Sequence, residues 1–271
     1  MNPVDLDFLC ALVQARSGLV IPGERGYFAE ARLGPLARRE GAASVADLAA
    51  RLRQAPEDRM IRAVVEAMTI QETAFFRDRA TFRALANIVV PGLARARGAT
   101  PLRVWSAGCG TGQEPWSLAM MMAAPDATPV NMEIMATDLC AAALEKAESG
   151  LYTHFEVQRG LPVRALLRHF QPVDEAWRIR PDLRASIRWK RLNLVDPFSV
   201  ATPFDLILCR HVLDRFDPAM ASGAIARLDA ALAPDGCLVL GPKDAAPAGF
   251  VAEEGAQGLF RREEPRIAWV A

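Results

Sequence analysis

Beyond residue 100 the sequence alternates between short apolar runs and segments of helical periodicity, and this alternation constrains the fold more than any other feature. Four runs have the length and composition of buried strands: LRVWSA (102–107), MEIMATD (132–138), FDLILCR (204–210) and GCLVLG (236–241). The segments EPWSLAMMMA, AAALEKAESG and AMASGAIARLDAAL space their apolar residues as helices do. Strands that alternate with helices form a parallel sheet covered on both faces. The sequence therefore predicts an α/β fold.

The first 75 residues contain no convincing strand pattern and instead carry four helical segments. FLCALVQARSG ends at Gly18, a residue suited to a helix C-cap, and SVADLAARLRQ begins with Ser44 as an N-cap. YFAEARLGPLARRE and DRMIRAVVEAMT supply the other two segments. We predict an all-helical N-terminal domain over residues 1–75 and an α/β domain over residues 76–271.

Residues 154–192 interrupt the alternation of strands and helices. The stretch has nine basic against four acidic residues, a net charge of +5, and its segments WRIRP and SIRWKRLNL alternate as strands do. We expect an inserted helix with a small β-subdomain. Its positive charge is consistent either with a solvated face or with a docking surface for a partner.

Charge and cysteine content exclude several classes of function. The chain carries 32 basic and 32 acidic residues, which gives no general attraction to nucleic acid or membranes. No apolar run approaches the roughly 20 residues that span a bilayer, and MNPVDLDFLC lacks the basic start of a secretory signal. The five cysteines form no CxxC pair, so neither a metal site nor a disulfide framework is expected. We expect a cytoplasmic protein that binds no nucleic acid and does not insert into membranes.

A glycine-rich turn follows the first predicted strand. Gly108, Gly110 and Gly112 alternate in WSAGCGTGQEPW, and Asp138 ends the next strand. A loop of this kind at the carboxyl edge of a parallel sheet is a ligand site in many α/β proteins, and an acid after the second strand suits the hydroxyls of a ribose. An ordinary tight turn is the alternative. The combination with Asp138 favours a ligand that contains a nucleoside.

Glu114 discriminates between two such ligands. It stands beside Pro115 at the start of the next predicted helix, where the helix dipole is positive. A pyrophosphate needs that end free of negative charge, so a carboxylate there disfavours NAD. It favours S-adenosylmethionine, which carries a sulfonium and an ammonium group. An acid in the first turn is, however, also common in helices that bind nothing.

The segment MTIQETAFFRD (68–78) resembles a family signature. It is close to N-x-T-x-F-F-R followed by an acid, the motif of the chemotaxis receptor methyltransferases (the CheR family). Four further segments resemble that family in the same order: WSAGCGTGQEPWSLAM, ATDLCAAALEKAESGLY, RHFQPVDEAWRIRPDLRASIRWKRLNL and FDLILCRHVLDRFD. The helical N-terminus is also similar, so the resemblance covers nearly the whole chain.

This resemblance implies a two-domain enzyme with a class I, Rossmann-like methyltransferase sheet, an N-terminal helical domain and a small inserted β-subdomain. Such an enzyme transfers a methyl group from S-adenosyl-L-methionine to glutamate side chains of chemotaxis receptors, and S-adenosyl-L-homocysteine is the product. A glutamate carboxylate has an ordinary pKa of about 4.3 and is ionised at neutral pH. It can therefore attack the methyl carbon directly, in line, without a general base.

The family's cofactor-binding positions carry over to this sequence motif by motif. They are Gln71, Thr73, Arg77, Gly108, Gly110, Gly112, Glu114, Asp138, Asn193, Leu194, His211 and Val212. By this resemblance, Thr73 and Arg77 bind the methionine end of the cofactor, and Arg77 pairs with its carboxylate and positions it for catalysis. Glu114 contacts the amino acid or the sulfonium, and Asp138 contacts the ribose.

The remaining carried-over positions lie toward the adenine and the methyl acceptor. Asn193 and Leu194 are expected to flank the adenine. His211 and Val212 are expected to line the floor near the sulfonium, with His211 on the acceptor side.

The resemblance also implies how receptors dock. In the family, the β-subdomain and an arginine-rich N-terminal helix, here with Arg32, Arg38 and Arg39, approach the cytoplasmic helical region of the receptor. The segment between Phe170 and Trp177 is short and lacks the glycines of members that bind a receptor's C-terminal pentapeptide. We therefore expect no pentapeptide tether.

Four positions depart from the family pattern. Gln71 and His211 each replace an asparagine, Asp214-Arg215 replaces isoleucine-tyrosine, and GPKD (241–244) stands where G-H-S-E is common. These departures leave open a different acceptor, reduced activity, or a non-catalytic sensor or scaffold that binds S-adenosylmethionine. A small-molecule methyltransferase and an NAD-linked oxidoreductase are further alternatives. The basic insert and the helical docking domain argue against the first, and Glu114 argues against the second.

Overall fold

The apolar runs predicted after residue 100 form the central sheet of the protein. The computed structural model describes residues 1–21, 25–124, 130–242, 244–253 and 256–263. Its strands are β1 (Leu102–Ala107), β2 (Met132–Asp138), β3 (Leu151–Thr153), β4 (Phe170–Val173), β5 (Ala176–Ile179), β6 (Ile187–Arg191), β7 (Phe204–Leu208), β8 (Leu232–Val239), β9 (Phe250–Ala252) and β10 (Leu259–Arg262).

Seven of these strands form one sheet in the order β6-β2-β1-β7-β8-β10-β9. The first five run parallel, and β10 and β9 add an antiparallel edge that the sequence patterns did not predict. The chain builds outward from β1 in both directions, so the strand order reverses beside β1. A crevice opens at the carboxyl edge of a parallel sheet at such a reversal. The predicted α/β fold is confirmed.

Helices cover the sheet and form the N-terminal domain. They are α1 (Pro3–Ser17), α2 (Arg25–Arg39), α3 (Val45–Gln54), α4 (Asp58–Met68), α5 (Arg79–Ala84), α6 (Val90–Arg97), α7 (Gln113–Met122), α8 (Ala141–Ser149), α9 (His154–Gln158), α10 (Val163–His169), α11 (Pro181–Arg184) and α12 (Pro218–Ala231). A π-helical turn at Leu85–Val89 joins α5 to α6, and a 3-10 turn spans Leu213–Arg215. Within the described residues, none of the helices has both the length and the apolar character needed to cross a membrane.

The N-terminal helices have their own core. On α4 the buried side chains are Ile61, Val64, Val65 and Met68, the spacing of one helix face. The two predicted caps are present: Gly18 ends α1 with a φ of 78°, and the Ser44 side chain accepts a hydrogen bond from the Asp47 N–H.

The helical domain contacts the α/β domain through the chain that follows α1. Leu19 forms an isolated antiparallel bridge with Phe216, and the Asp217 N–H donates to the Gly18 carbonyl oxygen over 2.7 Å. A Cβ atom on Gly18 would lie 2.9 Å from the Phe216 ring, so only glycine fits this contact. These contacts bring the end of α1 to the carboxyl edge of the sheet.

The insert differs from its predicted boundaries of 154–192. The small antiparallel sheet has the order β3-β5-β4 and begins at Leu151, before the predicted start. Strand β6 does not belong to it, because it pairs parallel with β2 at the edge of the main sheet. Local alternation predicts a strand but not its partner. The charged residues of β6, such as Arg188 and Lys190, suit an exposed sheet edge.

Candidate active site

A cavity of about 970 Å³, including its open mouth, lies at the carboxyl edge of the main sheet. Its walls are the segments that follow α4, β1, β2, β6 and β7. Eleven of the twelve predicted site residues line it: Gln71, Thr73, Arg77, Gly108, Gly110, Glu114, Asp138, Asn193, Leu194, His211 and Val212. Five stretches that are distant in the sequence therefore meet in one place.

The three glycines of the loop after β1 all have positive φ angles, 73° at Gly108, 56° at Gly110 and 91° at Gly112. The nearest obstacles to a side chain are the protein's own atoms. A Cβ atom at Gly108 would lie 2.5 Å from Val212 Cγ2, and one at Gly110 would lie 2.9 Å from Gln71 Oε1. The loop is thus glycine-rich partly because other cavity residues pack on it, and not only to admit a ligand.

Gly112 is the predicted site residue that does not line the cavity. It precedes α7, and a Cβ atom there would lie 2.7 Å from the Ala147 Cβ on α8. Its lack of a side chain is explained by the packing of the loop on α8. The regular G-x-G-x-G spacing conceals this difference, because only the fold determines which glycine faces the cavity.

Asp138 stands at the end of β2 and is held by backbone donors. Its Oδ2 accepts from the Gly110 N–H over 2.8 Å, and its Oδ1 accepts from the Cys140 N–H over 2.9 Å. Burial raises the pKa of Asp138, and these hydrogen bonds offset only part of that effect. Each carboxylate oxygen keeps a further lone pair, so the residue can still accept hydrogen bonds from a ligand.

Glu114 is paired within the protein. Its Oε2 accepts from Arg210 Nη1 over 2.9 Å, and its Oε1 accepts from the Ser106 hydroxyl over 2.9 Å. Arg210, whose side chain is 1% exposed, also lines the cavity and was not among the predicted site residues. The signal for it was an arginine two residues after the end of the fully buried strand β7, where a charge requires a partner.

Asp78 joins Arg210 to His211. Its Oδ2 accepts from Arg210 Nη2 over 2.6 Å and lies 2.7 Å from His211 Nε2. Burial raises the pKa of Asp78, but the hydrogen bond with His211 and the charge of Arg210 outweigh it and hold that pKa below its ordinary value. Both Asp78 and His211 have left-handed backbone angles, with φ of 60° and 58°. Such angles are costly for residues other than glycine and cluster at functional sites.

The segment from Thr73 to Arg77 is anchored by its aromatic residues. Phe75 is fully buried and meets Tyr152 and Phe170 edge to face, with ring centroids 5.0 Å and 5.7 Å away. This anchor fixes Thr73 and Arg77 against the cavity. Arg77 Nη1 donates to the Glu72 carbonyl oxygen over 2.6 Å.

The helical domain closes part of the cavity, which the sequence patterns did not predict. Ser17 and Leu19 line it from the end of α1. Asn193 Nδ2 donates to the Arg16 carbonyl oxygen over 2.8 Å, so this predicted site residue also ties the two domains together.

Two of the residues at which this sequence departs from the family pattern, Arg215 and Asp244, form polar contacts within the protein. Arg215 Nη2 pairs with Glu72 Oε2 over 2.9 Å, and both residues line the cavity. Asp244 Oδ2 accepts from the Gly241 N–H over 2.8 Å, and burial raises the pKa of Asp244. Lys243 of the GPKD segment lies outside the described residues.

Residues 71–253 match the family model described as CheR methyltransferase, SAM binding domain. The chain belongs to the CheR family. Residues 4–69 match the companion model, CheR methyltransferase, all-alpha domain. The resemblance first indicated by MTIQETAFFRD is therefore confirmed.

Named relatives agree with this membership. Chemotaxis protein methyltransferase 1 of Pseudomonas aeruginosa is 32% identical, covering 89% of this chain and 90% of the relative. Chemotaxis protein methyltransferase Cher2 of Pseudomonas putida is 31% identical, covering 90% and 92%. The probable biofilm formation methyltransferase WspC of P. aeruginosa is 32% identical, covering 77% and 51%. Among solved structures, N-methyltransferase NodS from Bradyrhizobium japonicum has a TM-score of 0.35 at 22% identity, covering 60% of each chain.

This CheR-family protein is an S-adenosylmethionine-dependent methyltransferase, and the predicted cofactor is confirmed. The donor set in the cavity fits that cofactor. Carboxylates at Glu114 and Asp138 suit positive groups and ribose hydroxyls, and Arg77 suits a carboxylate. When bound, the cofactor supplies a methyl group on a positively charged sulfur.

Proposed function

We propose that this enzyme methylates glutamate side chains in the cytoplasmic helical region of transmembrane chemotaxis receptors. One observation carries the proposal: eleven of the family's twelve carried-over positions line a single cavity, in a chain whose relatives at 31–32% identity are named chemotaxis protein methyltransferases. We further propose that it acts in the cytoplasm, with its domains divided into residues 1–75 and 76–271. The family-model matches over 4–69 and 71–253 support a division near residue 70.

We assign the methionine end of the cofactor to Thr73 and Arg77. With Nη1 held by the Glu72 carbonyl, the rest of the Arg77 guanidinium is left to pair with the cofactor carboxylate. We assign the ribose to Asp138. Because Glu114 is already paired with Arg210, its role toward the ligand is to add negative charge beside the cavity rather than to form a pair by itself.

The adenine end is assigned to the wall where the two domains meet. Leu194 is buried and offers an apolar surface there. Asn193, bonded to the Arg16 carbonyl, keeps this wall next to the helical domain. Gly108, Gly110, Gln71 and Val212 complete the surface around the nucleoside and sulfur, and Gly112 supports the loop from behind.

We also propose that methyl transfer is direct and in line. A glutamate acceptor is already an anion at neutral pH, so no side chain of the enzyme has to remove a proton. The contribution of the protein is then alignment, which can lower a barrier by several kcal/mol. The rigid anchoring of Arg77 through Phe75 supports this role.

The proposed receptor contact needs no pentapeptide tether. Strands β4 and β5 are joined by only two residues, Asp174 and Glu175, which leaves little loop to bind an extended peptide. A titration of the full chain with a receptor-tail pentapeptide is expected to show no binding. Micromolar affinity would refute this part of the proposal.

A second acceptor is favoured by one comparison. The relatives named WspC are assigned to biofilm formation, and the chain is 32% identical to one of them. A receptor-like acceptor of such a pathway is therefore the alternative substrate. Glutamate side chains of that acceptor would require the same in-line alignment with the methyl group of the cofactor.

The experiment is methylation of receptor-enriched membranes with S-adenosylmethionine labelled in its methyl group. We expect label on the receptor, released as methanol by mild base, as for a carboxyl methyl ester. Receptors whose methylated glutamates are changed to alanine serve as the control. Label that resists base, or binding of the cofactor with no transfer to any receptor membrane, would contradict the proposal.

A further inference from the structure

His211 belongs to a largely buried chain of charges beside the cavity. Glu114 pairs with Arg210, Arg210 pairs with Asp78, and Asp78 contacts His211 Nε2, over distances of 2.9, 2.6 and 2.7 Å. With a neutral imidazole the chain holds two carboxylates and one guanidinium, a net charge of one negative unit. With a protonated imidazole it has no net charge.

Other charged groups lie near this histidine. Of the described residues, Asp244, on the segment after β8, is close enough to feel the charge of His211, and Asp214 acts on Asp244 in turn. Arg77 acts on Asp78, and Arg215 lines the same cavity. None of these is an imidazole. An imidazole is the side chain that ordinarily changes charge between about pH 5 and 8, and among the described residues named here only His211 carries one.

The cofactor and its product differ at the sulfur. S-adenosylmethionine has a sulfonium with one positive charge, and S-adenosylhomocysteine has a neutral thioether, while the amino acid and nucleoside groups are the same. A change in the charge of the cavity wall therefore alters the affinity for the cofactor more than the affinity for the product.

We propose that the charge of the His211 side chain sets the ratio of the affinities of this site for S-adenosylmethionine and S-adenosylhomocysteine, and that protonation of its imidazole weakens binding of the cofactor relative to binding of the product. The asparagine of the family pattern cannot carry a charge, so the histidine adds a pH-dependent element to the competition between cofactor and product. The inference rests on the established cofactor and not on the identity of the methyl acceptor.

The test is calorimetric titration of the full chain with each ligand from about pH 5.5 to 8.5, which brackets the imidazole range. The ratio of the product Kd to the cofactor Kd is expected to rise about tenfold with pH. In His211→Asn the ratio is expected to stay constant near the high-pH value. His154→Asn is the matched control, because His154 contacts Trp177 on the small sheet, and it is expected to keep the wild-type slope.

A wild-type ratio that does not change with pH would overturn the proposal, as would an unchanged slope in His211→Asn. Wild-type protein alone gives an independent measurement if the variant does not fold. Titrations in two buffers of different ionisation enthalpy measure proton release on binding. Within the pH range in which an imidazole changes charge, binding of S-adenosylmethionine should release more protons than binding of S-adenosylhomocysteine. Equal release would refute the role of His211, whatever the methylation assay shows.

Discussion

Arg210 donates from Nη1 to Glu114 Oε2 over 2.9 Å, with its own side chain 1% exposed. Its Nη2 reaches Asp78 over 2.6 Å, so one guanidinium holds two carboxylates from different segments. A buried arginine in this position fixes the first turn of α7 relative to the end of the Thr73–Arg77 segment. The acid that first indicated a cationic ligand is thus also a structural ion-pair partner.

Replacing Arg210 with methionine keeps most of the side-chain volume but leaves Glu114 and Asp78 without their shared partner. Uncompensated charge in a buried site is costly, so we expect the free energy of unfolding to fall by about 3 kcal/mol. Denaturant unfolding measures the change. Arg59→Met, which removes an exposed pair with Glu40, is the control and should leave the midpoint nearly unchanged. Equal midpoints for the two variants would show that the buried pair is not stabilising.

Gly108→Ala tests whether the loop needs glycine for its backbone angle or for space. Gly41 has a similar φ, 66° against 73°, but no described atom within 4 Å of an added Cβ. We expect Gly41→Ala to cost about 1 kcal/mol from its backbone angle alone. Gly108→Ala should cost about 1 to 3 kcal/mol more, because the new methyl group collides with Val212. The double variant Gly108→Ala/Val212→Ala should recover part of that excess, and failure to do so would place the clash elsewhere.

Arg77→Ala tests the proposed pairing with the cofactor carboxylate. Loss of a hydrogen bond to a charged group costs about 1.5 to 3 kcal/mol, so the Kd should rise about 10- to 100-fold. The carboxylate is common to cofactor and product, so calorimetry should show the same loss for both ligands. Arg79→Ala is the matched control, because Arg79 is exposed two residues farther on. Unequal changes for the two ligands would instead place Arg77 near the sulfur, the group at which their charges differ.

Asp138→Asn replaces one acceptor oxygen with an amide donor that must face the N–H of Gly110 or Cys140. We expect both ligands to bind about 10- to 100-fold more weakly. In the wild type, the raised pKa of Asp138 predicts that affinity declines on acidification at a higher pH than for an ordinary aspartate. Calorimetry from neutral to acidic pH measures this decline. A pH profile shared by wild type and Asp138→Asn would contradict it.

The raised pKa of Asp138 affects ligand binding and stability in opposite directions. Acidification weakens ligand binding, but it increases the contribution of Asp138 to the free energy of unfolding. The folded chain holds the Asp138 proton more tightly than the unfolded chain does. Its contribution to the free energy of unfolding is therefore fully present below the unfolded pKa, about 3.9. It is lost as the pH rises through the folded value.

The sequence within a single segment determined those strands and helix caps that depend only on residues close together along the chain. The bounds of β1 and β2 match the predicted runs LRVWSA and MEIMATD, because a strand buried on both faces is a continuous apolar run. The caps at Gly18 and Ser44 depend on single residues and their neighbours along the chain. The family motifs lie within single segments of the sequence, and they were sufficient to predict the cofactor.

Tertiary structure alone decided which residues share a contact. Arg210 and Glu114 are 96 positions apart, and no spacing rule connects them. Strand β6 pairs with the main sheet instead of the small one. Gly112 packs against α8, whereas Gly108 and Gly110 line the cavity. The physical reason is the same in each case. The spacing of apolar residues along the chain predicts which side chains are buried. Which residues those side chains contact depends on how distant segments pack together.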